Sequence, residues 1–427
     1  QRQGKTYRVA TVADERIFRE AEAALQAKRE LLMLAWGMDP VPDEPLPVER
    51  ARGFSGFRVL LYGMKKWGDL FNVRQKLALI PFAEKVRQAH EQMVAEGMEP
   101  EFAKAIVTYL ALIVSRMSDF ESTLCRWHPQ WEFIPNTFAR QALPMAWDYA
   151  ELNLLSPILT GTWESMHRQI LRATESAVVG SVSGVVTQAS ATQLSYPDGY
   201  FDAVLTDPPY YDNVAYADLA DFFYVWLKRS VGHLYPELFS TPLVPKANEI
   251  IQDPARKKDK AFFETHLTHA FQEVQRVLRP DGIAVIVYAH KSTTGWETVI
   301  NALLDSGLVV SGSWPLHTEM RARLVAQETA SLASSIYIVA RKPAGQAGQP
   351  TGFYNEVREE LHQHLDRKLQ RLWEEGIGGA DFFIAAIGSA IEVFGKYEQV
   401  MDYEGNIVRA DRLLQDVRTI ATDYAVR

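Results

Sequence analysis

Apolar positions recur at helical spacing through the first third of the chain. Between Pro100 and Ser118, the residues Phe102, Ile106, Tyr109, Leu110 and Ile113 fall three or four apart, which predicts one face of an amphipathic helix. The same spacing predicts a helix over Val73–Glu96 and an earlier one over about Asp14–Leu34. Before them, "KTYRVAT" reads as a short strand. Between them, "DPVPDEPLPVE" reads as a proline-rich linker.

From about Thr162 the period changes. A helical stretch, "WESMHRQILRATESA", leads into a short strand, "GVVTQA". A turn at Pro197-Asp198-Gly199 then opens a hydrophobic strand around Ala203–Leu205. Helices are expected from about Tyr216 and from about Phe262, the second stopped by Pro280 and Gly282. "IAVIVYAH" is a continuous apolar run, the kind that lies in the middle of a parallel sheet with both faces covered. "GWETVINALLDSG" is the next helix, and "LVVSGSWPLHTEM" and "SSIYIVARKP" are two closing strands. Such alternation predicts a doubly wound α/β sheet. The tail, "EVREELHQHLDRKLQRLWEEG" and "ADFFIAAIGSAIEVFGKY", is helical again. The expected organisation is a mainly helical region over residues 1–150, a Rossmann-like α/β domain over 151–345 and a helical extension over 346–427.

Composition narrows the classes. Of 427 residues, 47% are hydrophobic and 23% charged, enough apolar material for a sizeable core. No apolar run reaches the ~18 residues of a membrane span, and the first residues carry no signal-like apolar stretch, so a cytoplasmic location without membrane contact is expected. One cysteine, Cys125, excludes an internal disulfide and a cysteine-rich zinc site, and it reads as a packed residue; no metal site is expected. The net charge of −8 does not advertise nucleic-acid binding. Affinity for phosphates depends on a local patch, however, and the densest basic cluster is Arg256, Lys257, Lys258 and Lys260.

The most specific chemistry lies where the strand around Ala203–Leu205 stops, in Asp207-Pro208-Pro209-Tyr210. Strand ends of open α/β sheets are where ligands bind. Two prolines stiffen the turn by fixing φ and removing N–H donors. A carboxylate and the Pro208 carbonyl beside it can accept both hydrogens of an amine, and Tyr210 offers a flat face for a ring. The tetrapeptide therefore suits a flipped-out nucleobase bearing an exocyclic NH₂. Tyr211, Asp212 and Tyr216 follow it closely enough to line a base or DNA channel. His290 and Lys291 end the next strand and so face the same ligand edge. Phe222, Phe223, Tyr224 and Trp226 read as core.

This Asp-Pro-Pro-Tyr motif after a strand resembles the signature of adenine-specific DNA methylases. Together with "WGDLFNVRQKLAL", "STLCRWHP", "NTFARQALPMAWDYAELN", "LYPELFSTPLVPKANEI", "VLRPDGIAVIVYAHK" and "GGADFFIAAIGSAIEVFG", it makes the chain, from about Lys5 to Ala410, similar to one prokaryotic family. Members of that family are large predicted methylases, often encoded in defence gene clusters, with a zinc ribbon upstream. The resemblance implies a Rossmann-like S-adenosylmethionine-dependent methyltransferase sheet and methyl transfer from S-adenosyl-L-methionine to the adenine amine of DNA. It also implies roles for the motif: Asp207 and the Pro208 carbonyl bind the amine, Pro209 holds the turn and Tyr210 stacks on the base.

The chain departs from the family's pattern on the cofactor side. The glycines of "VVGSVSGVVTQAS" and of "GFSGF", at Gly53–Phe57, lack a surrounding βαβ unit. Ser190 stands where such sheets often carry an Asp that helps bind the cofactor adenine; with Asp207 it is the candidate for cofactor contact. The sheet is therefore expected to be incomplete, with an upstream methylase segment or a partner subunit supplying the remainder. Transfer to cytosine or to RNA, and a non-catalytic DNA-binding or assembly subunit, are the alternative readings.

Overall fold

The computed structural model describes residues 7–50, 56–177, 184–211, 214–290, 292–317, 334–343, 350–374, 379–397 and 399–426. It forms two compact units whose sequences interleave: Gln1–Gly184 with Ala215–Glu249, and Val185–Val214 with Ile250–Arg427. This partition differs from the three consecutive segments expected from the sequence.

The first unit is helical, with α1 (Val12–Trp36), α2 (Val73–Ala95), α3 (Pro100–Phe120), α4 (Trp163–Ala177) and α5 (Tyr216–Val231). Local chemistry sets the ends. The Asn72 side chain accepts from Gln75 N–H at 2.9 Å while Gln75 returns the bond to Asn72 N–H, a reciprocal cap on α2. Pro100 opens α3, where its missing N–H costs nothing. The core forms around Trp67, Phe71, Phe222 and Trp226, with the Phe71 ring 5.6 Å from Phe222 and 5.2 Å from Trp226. Phe222 and Trp226 are thus core, as read from the sequence. The short strand expected at "KTYRVAT" does not form in its described part: Tyr7–Ala10 is irregular and exposed.

The second unit holds β1 (Phe201–Thr206), α6 (Lys260–Val277), β2 (Leu278–Tyr288), α7 (Thr293–Asp305), β3 (Val309–His317) and β4 (Ser334–Arg341). After these come β5 (Thr351–Phe353), α8 (Tyr354–Glu374), α9 (Gly379–Phe394), β6 (Gln399–Met401) and α10 (Ala410–Val426). The main sheet has the order β1-β2-β4-β3, and β5 and β6 make a separate parallel pair. Within the main sheet only β1 and β2 are parallel; β4 runs antiparallel to both neighbours. The chain is therefore mixed α/β with a small mixed sheet, not the larger parallel sheet that the alternation predicts. β3 and β4 are consecutive among the described strands and pair antiparallel from Val309 opposite Arg341 to His317 opposite Ser334.

Three further expectations change. The residues Val185–Gln188 of "GVVTQA" form no strand and lie exposed. α6 ends at Val277, within "RVLRPDG" as expected, but β2 follows at once rather than after Gly282. The strand begins at Leu278, opposite Phe201, and the ladder then skips to Ala203 opposite Ile283, so exposed Arg279, Pro280 and Asp281 bulge out. The tail is no appendage: Leu361, Leu365 and Leu369 of α8 and Ile387 and Ile391 of α9 share one buried core with β2 and β4.

Candidate functional site

β1 positions the corner, and two polar residues near the end of α6 hold the approach to β1. Arg276 donates to the Leu194 and Tyr196 carbonyls at 3.0 and 2.8 Å, and its own carbonyl accepts from Gly199 N–H at 3.0 Å. Glu273 accepts from Leu194 N–H at 2.7 Å, and the hydrogen bond from Arg276 holds its carboxyl down at about 2. Gly199 turns the chain into β1 with φ at 62°, a conformation suited to glycine.

At the other end of β1, Asp207 is exposed, Pro208 is buried, and Pro209 and Tyr210 are half-buried. Among the described residues, neither the Asp207 carboxylate nor the Pro208 carbonyl has a hydrogen-bond partner. The next step of the corner is strained. Tyr211 sits at φ 49°, a left-handed conformation that costs a non-glycine residue about 1–2 kcal/mol. Its N–H closes back on the Pro209 carbonyl at 3.1 Å, and its carbonyl accepts from Gln252 N–H at 3.1 Å.

Aromatic rings brace the corner from beneath. Tyr210 meets Tyr288 edge to face at 5.3 Å, and Tyr288 meets Trp296 at 5.0 Å. Tyr211 is buried, with its ring at 5.2 Å from Phe263 and 5.9 Å from His290. His290 is buried too. Its Nδ1 accepts from Ser292 N–H at 3.0 Å, and its carbonyl accepts from the Trp296 indole at 3.0 Å. A side chain on Gly295 would run into the imidazole, with an added Cβ only 2.2 Å from Nδ1. Tyr211 and His290 therefore back the corner rather than line its surface.

The sequence candidates scatter accordingly. Asp207, Pro208, Pro209 and Tyr210 form one corner, with Tyr211 and His290 behind it. Tyr216 opens α5 in the helical unit and is exposed. Asp212 and Lys291 lie outside the described residues. Ser190 is exposed in the loop before β1, its Oγ 2.8 Å from Thr192 Oγ1. Sequence reading passed over Tyr288, Trp296, Phe263, Glu273 and Arg276. The signal for Tyr288 was its place two residues before His290, on the same face of the strand.

The basic cluster is largely taken up internally. Arg256 pairs with Asp253 at 2.8 Å, Lys258 is buried over the Phe262 ring at 5.0 Å, and Lys260 pairs with Glu297 at 2.6 Å. Cys125 is buried against Ser122 and Thr137, and burial pushes its thiol up, away from reactivity. No helix among the described residues is long and apolar enough to cross a membrane.

No protein-family model, curated protein or solved structure matches the chain. What the corner can do must follow from its own geometry. It offers an exposed carboxylate beside an unspent carbonyl, on a backbone stiffened by two prolines and a packed aromatic ladder. That arrangement can hold and aim a small hydrogen-bond donor such as an amine. Two surface cavities, of about 390 and 340 Å³, lie elsewhere, the first between Lys260, Glu297 and Arg409 and the second beside Leu154 and Trp163. The corner lines neither of them.

The residues fit S-adenosylmethionine poorly. Among the described residues no strand with a glycine-rich turn borders β1, and Ser190 is bonded within its own loop. Residues 178–183 of the first glycine stretch and 51–55, which include Gly53, lie outside the described residues. The described part of the chain does not compose a cradle for the cofactor.

Proposed function

We propose that Asp207–Tyr210 is the amine-holding half of an S-adenosylmethionine-dependent methyltransferase acting on the N6 amine of adenine in DNA. One observation carries the reading: the carboxylate of the motif stands exposed and without a partner among the described residues at a strand end, while Pro208 and Tyr211 beside it are buried and Tyr210 packs on Tyr288. The sequence resemblance supplies the substrate and the reaction class.

The chain's own residues have a limited task. Asp207 and the Pro208 carbonyl accept the two amine hydrogens and so fix the direction of the nitrogen lone pair. Pro209, together with the Tyr211 N–H bonded to its carbonyl, keeps the corner from relaxing when the base enters. Tyr210, held on Tyr288, offers its remaining surface to the base. Alignment of this kind contributes by positioning and by stabilising the positive charge that develops on nitrogen. No strong base is needed for it. The electrophilic methyl belongs to the cofactor.

The test is transfer of a tritiated methyl group to unmethylated DNA, with the chain alone and with an upstream methylase segment or partner subunit added. The label is expected in N6-methyladenine, and Asp207→Ala is expected to lower transfer by at least about a hundredfold, the scale of losing a charge-stabilising contact. An Asp207→Ala variant with wild-type transfer would sink the reading.

A further inference from the structure

Among the described residues, three other than glycine hold a positive φ: Glu132 at 48°, Tyr211 at 49° and Lys257 at 59°. The last two belong to joined loops of the second unit. The Tyr211 carbonyl accepts from Gln252 N–H at 3.1 Å, and Gln252 leads directly into the tight turn that Lys257 closes. There Asp253 and Lys258 exchange backbone hydrogen bonds of 2.8 and 2.9 Å. Arg256 N–H and Lys257 N–H return to the Asp253 and Pro254 carbonyls at 3.0 and 3.2 Å. The base of the turn is anchored inward: Asp253 and Lys258 are buried, Asp253 pairs with Arg256 at 2.8 Å, and Lys258 lies over the Phe262 ring at 5.0 Å. The next ring along, Phe263, packs on Tyr211 at 5.2 Å. The Asp207 corner and this turn are therefore two stiff loops tied by a backbone bond and a shared aromatic support.

Within the turn Lys257 is the exception: it is exposed and makes no ion pair among the described residues. A left-handed position that closes a turn favours glycine or asparagine. A lysine there is not explained by the conformation, and side chains held in such conformations concentrate where ligands bind. With a net charge of −8 the chain as a whole does not attract a polyanion, so phosphates must be met by local cations. We propose that Lys257 is a phosphate anchor, holding a backbone phosphodiester of DNA next to the nucleotide whose base enters the Asp207 corner. The choice of DNA as occupant rests on the methyltransferase reading; the rigid coupling of the two loops does not. The corner takes the base amine, the turn takes the charge of the strand, and the Gln252–Tyr211 bond fixes their spacing. Contacts of this kind set the register of a nucleic acid without reading its sequence.

The experiment titrates a fluorescent DNA duplex with the full chain and follows anisotropy between about 50 and 200 mM salt. In Lys257→Gly the slope of log affinity against log salt is expected to shrink by about 0.9, the share of one phosphate contact, and affinity to fall roughly eightfold at 0.1 M salt. The variant should stay folded by circular dichroism, since glycine adopts this φ without strain. Lys257→Arg should keep the slope. Arg19→Ala, which removes an exposed cation on α1 of the other unit, should leave it unchanged. No binding of the duplex, or a slope indifferent to Lys257→Gly, overturns the proposal. An equal loss in Arg19→Ala also overturns it, because charge and not place would then decide. A slope lost with Lys257 in a chain that never methylates adenine keeps the anchor and removes the methyltransferase reading. Methyl transfer that Asp207→Ala abolishes, with a slope unmoved by Lys257→Gly, does the reverse.

Discussion

Three carboxylates stand close together in one stretch of sequence, and the two units treat them in opposite ways. Asp218 and Asp221, on α5, are fully buried. Asp218 accepts from Arg50 at 2.8 Å; Asp221 accepts from Val244 N–H at 2.8 Å and faces Lys246 at 2.8 Å. Asp207, a few residues earlier, is exposed and has no such partner among the described residues. Burying a charge is costly unless it is paired and hydrogen-bonded, and the helical unit sets a cation beside each of Asp218 and Asp221. A carboxylate left uncommitted at a stiff corner is one that a ligand can use. Charge type alone does not separate the two roles; partner and burial do.

The largest break in this contrast should come from Arg229. Its guanidinium is buried in the helical unit, and its five N–H groups reach the Asp39, Val41 and Val225 carbonyls and the Glu44 and Asp43 side chains. Arg229→Ala strands those acceptors and is expected to cost about 3–5 kcal/mol in urea denaturation. Asp221→Ala, which leaves Val244 N–H and Lys246 without their carboxylate, should cost about 1–3 kcal/mol. A loss under about 1 kcal/mol for Arg229→Ala would show that these charges do not lock the unit.

How far the sequence revealed this follows from which forces are local. The periods of α2 and α3 and the stop of α7 just before Gly307 depend on near neighbours, and they were legible. So was the corner, because prolines and an acidic strand end act within four residues. The position of β1 in its sheet was not legible. "AVL" is the same apolar run whether two strands flank it or one, and pairing is decided by distant segments. The interleaving of the units was hidden for a related reason: α5 follows the corner directly, yet its Phe222 and Trp226 find their partners at Trp67 and Phe71. The burial of Tyr211 was also unreadable, since it depends on a positive φ that no residue type there announces.

A smaller, pH-dependent effect sharpens the comparison. Burial pushes Glu121 up to about 8 from an ordinary 4.5, against a hydrogen bond from Leu152 N–H. Between those values the folded chain keeps a proton that the unfolded chain releases. The contribution is therefore complete below about pH 4.5 and is lost as pH rises through 8, at no more than about 1.4 kcal/mol per pH unit. Asp221, raised by burial to about 6, acts in the same direction at lower pH, and His233, lowered by burial to about 4, acts in the opposite direction up to its ordinary 6.5, so the comparison with a Glu121 variant is what isolates Glu121. Glu121→Gln should flatten the fall in stability from pH 6 to 8. Identical slopes for the two proteins would remove Glu121 from the account.

The smallest expected effect is the most informative. Asp207→Ala removes a carboxylate that no described residue depends on, and it leaves intact the two prolines, the Tyr211 N–H bond to Pro209 and the ladder of Tyr210 on Tyr288. Substitutions at exposed sites away from caps and networks fall within about 0.5 kcal/mol, so denaturation midpoints should coincide with those of the unmodified chain. A clear destabilisation, above about 1 kcal/mol, would mean that Asp207 holds the corner together, like Asp218 and Asp221 in the other unit. The carboxylate would then be structural, and the distinction between a committed and an uncommitted acid within this one segment would fail. Coincident midpoints alongside lost methyl transfer would instead leave a group that the fold does not need and the chemistry does.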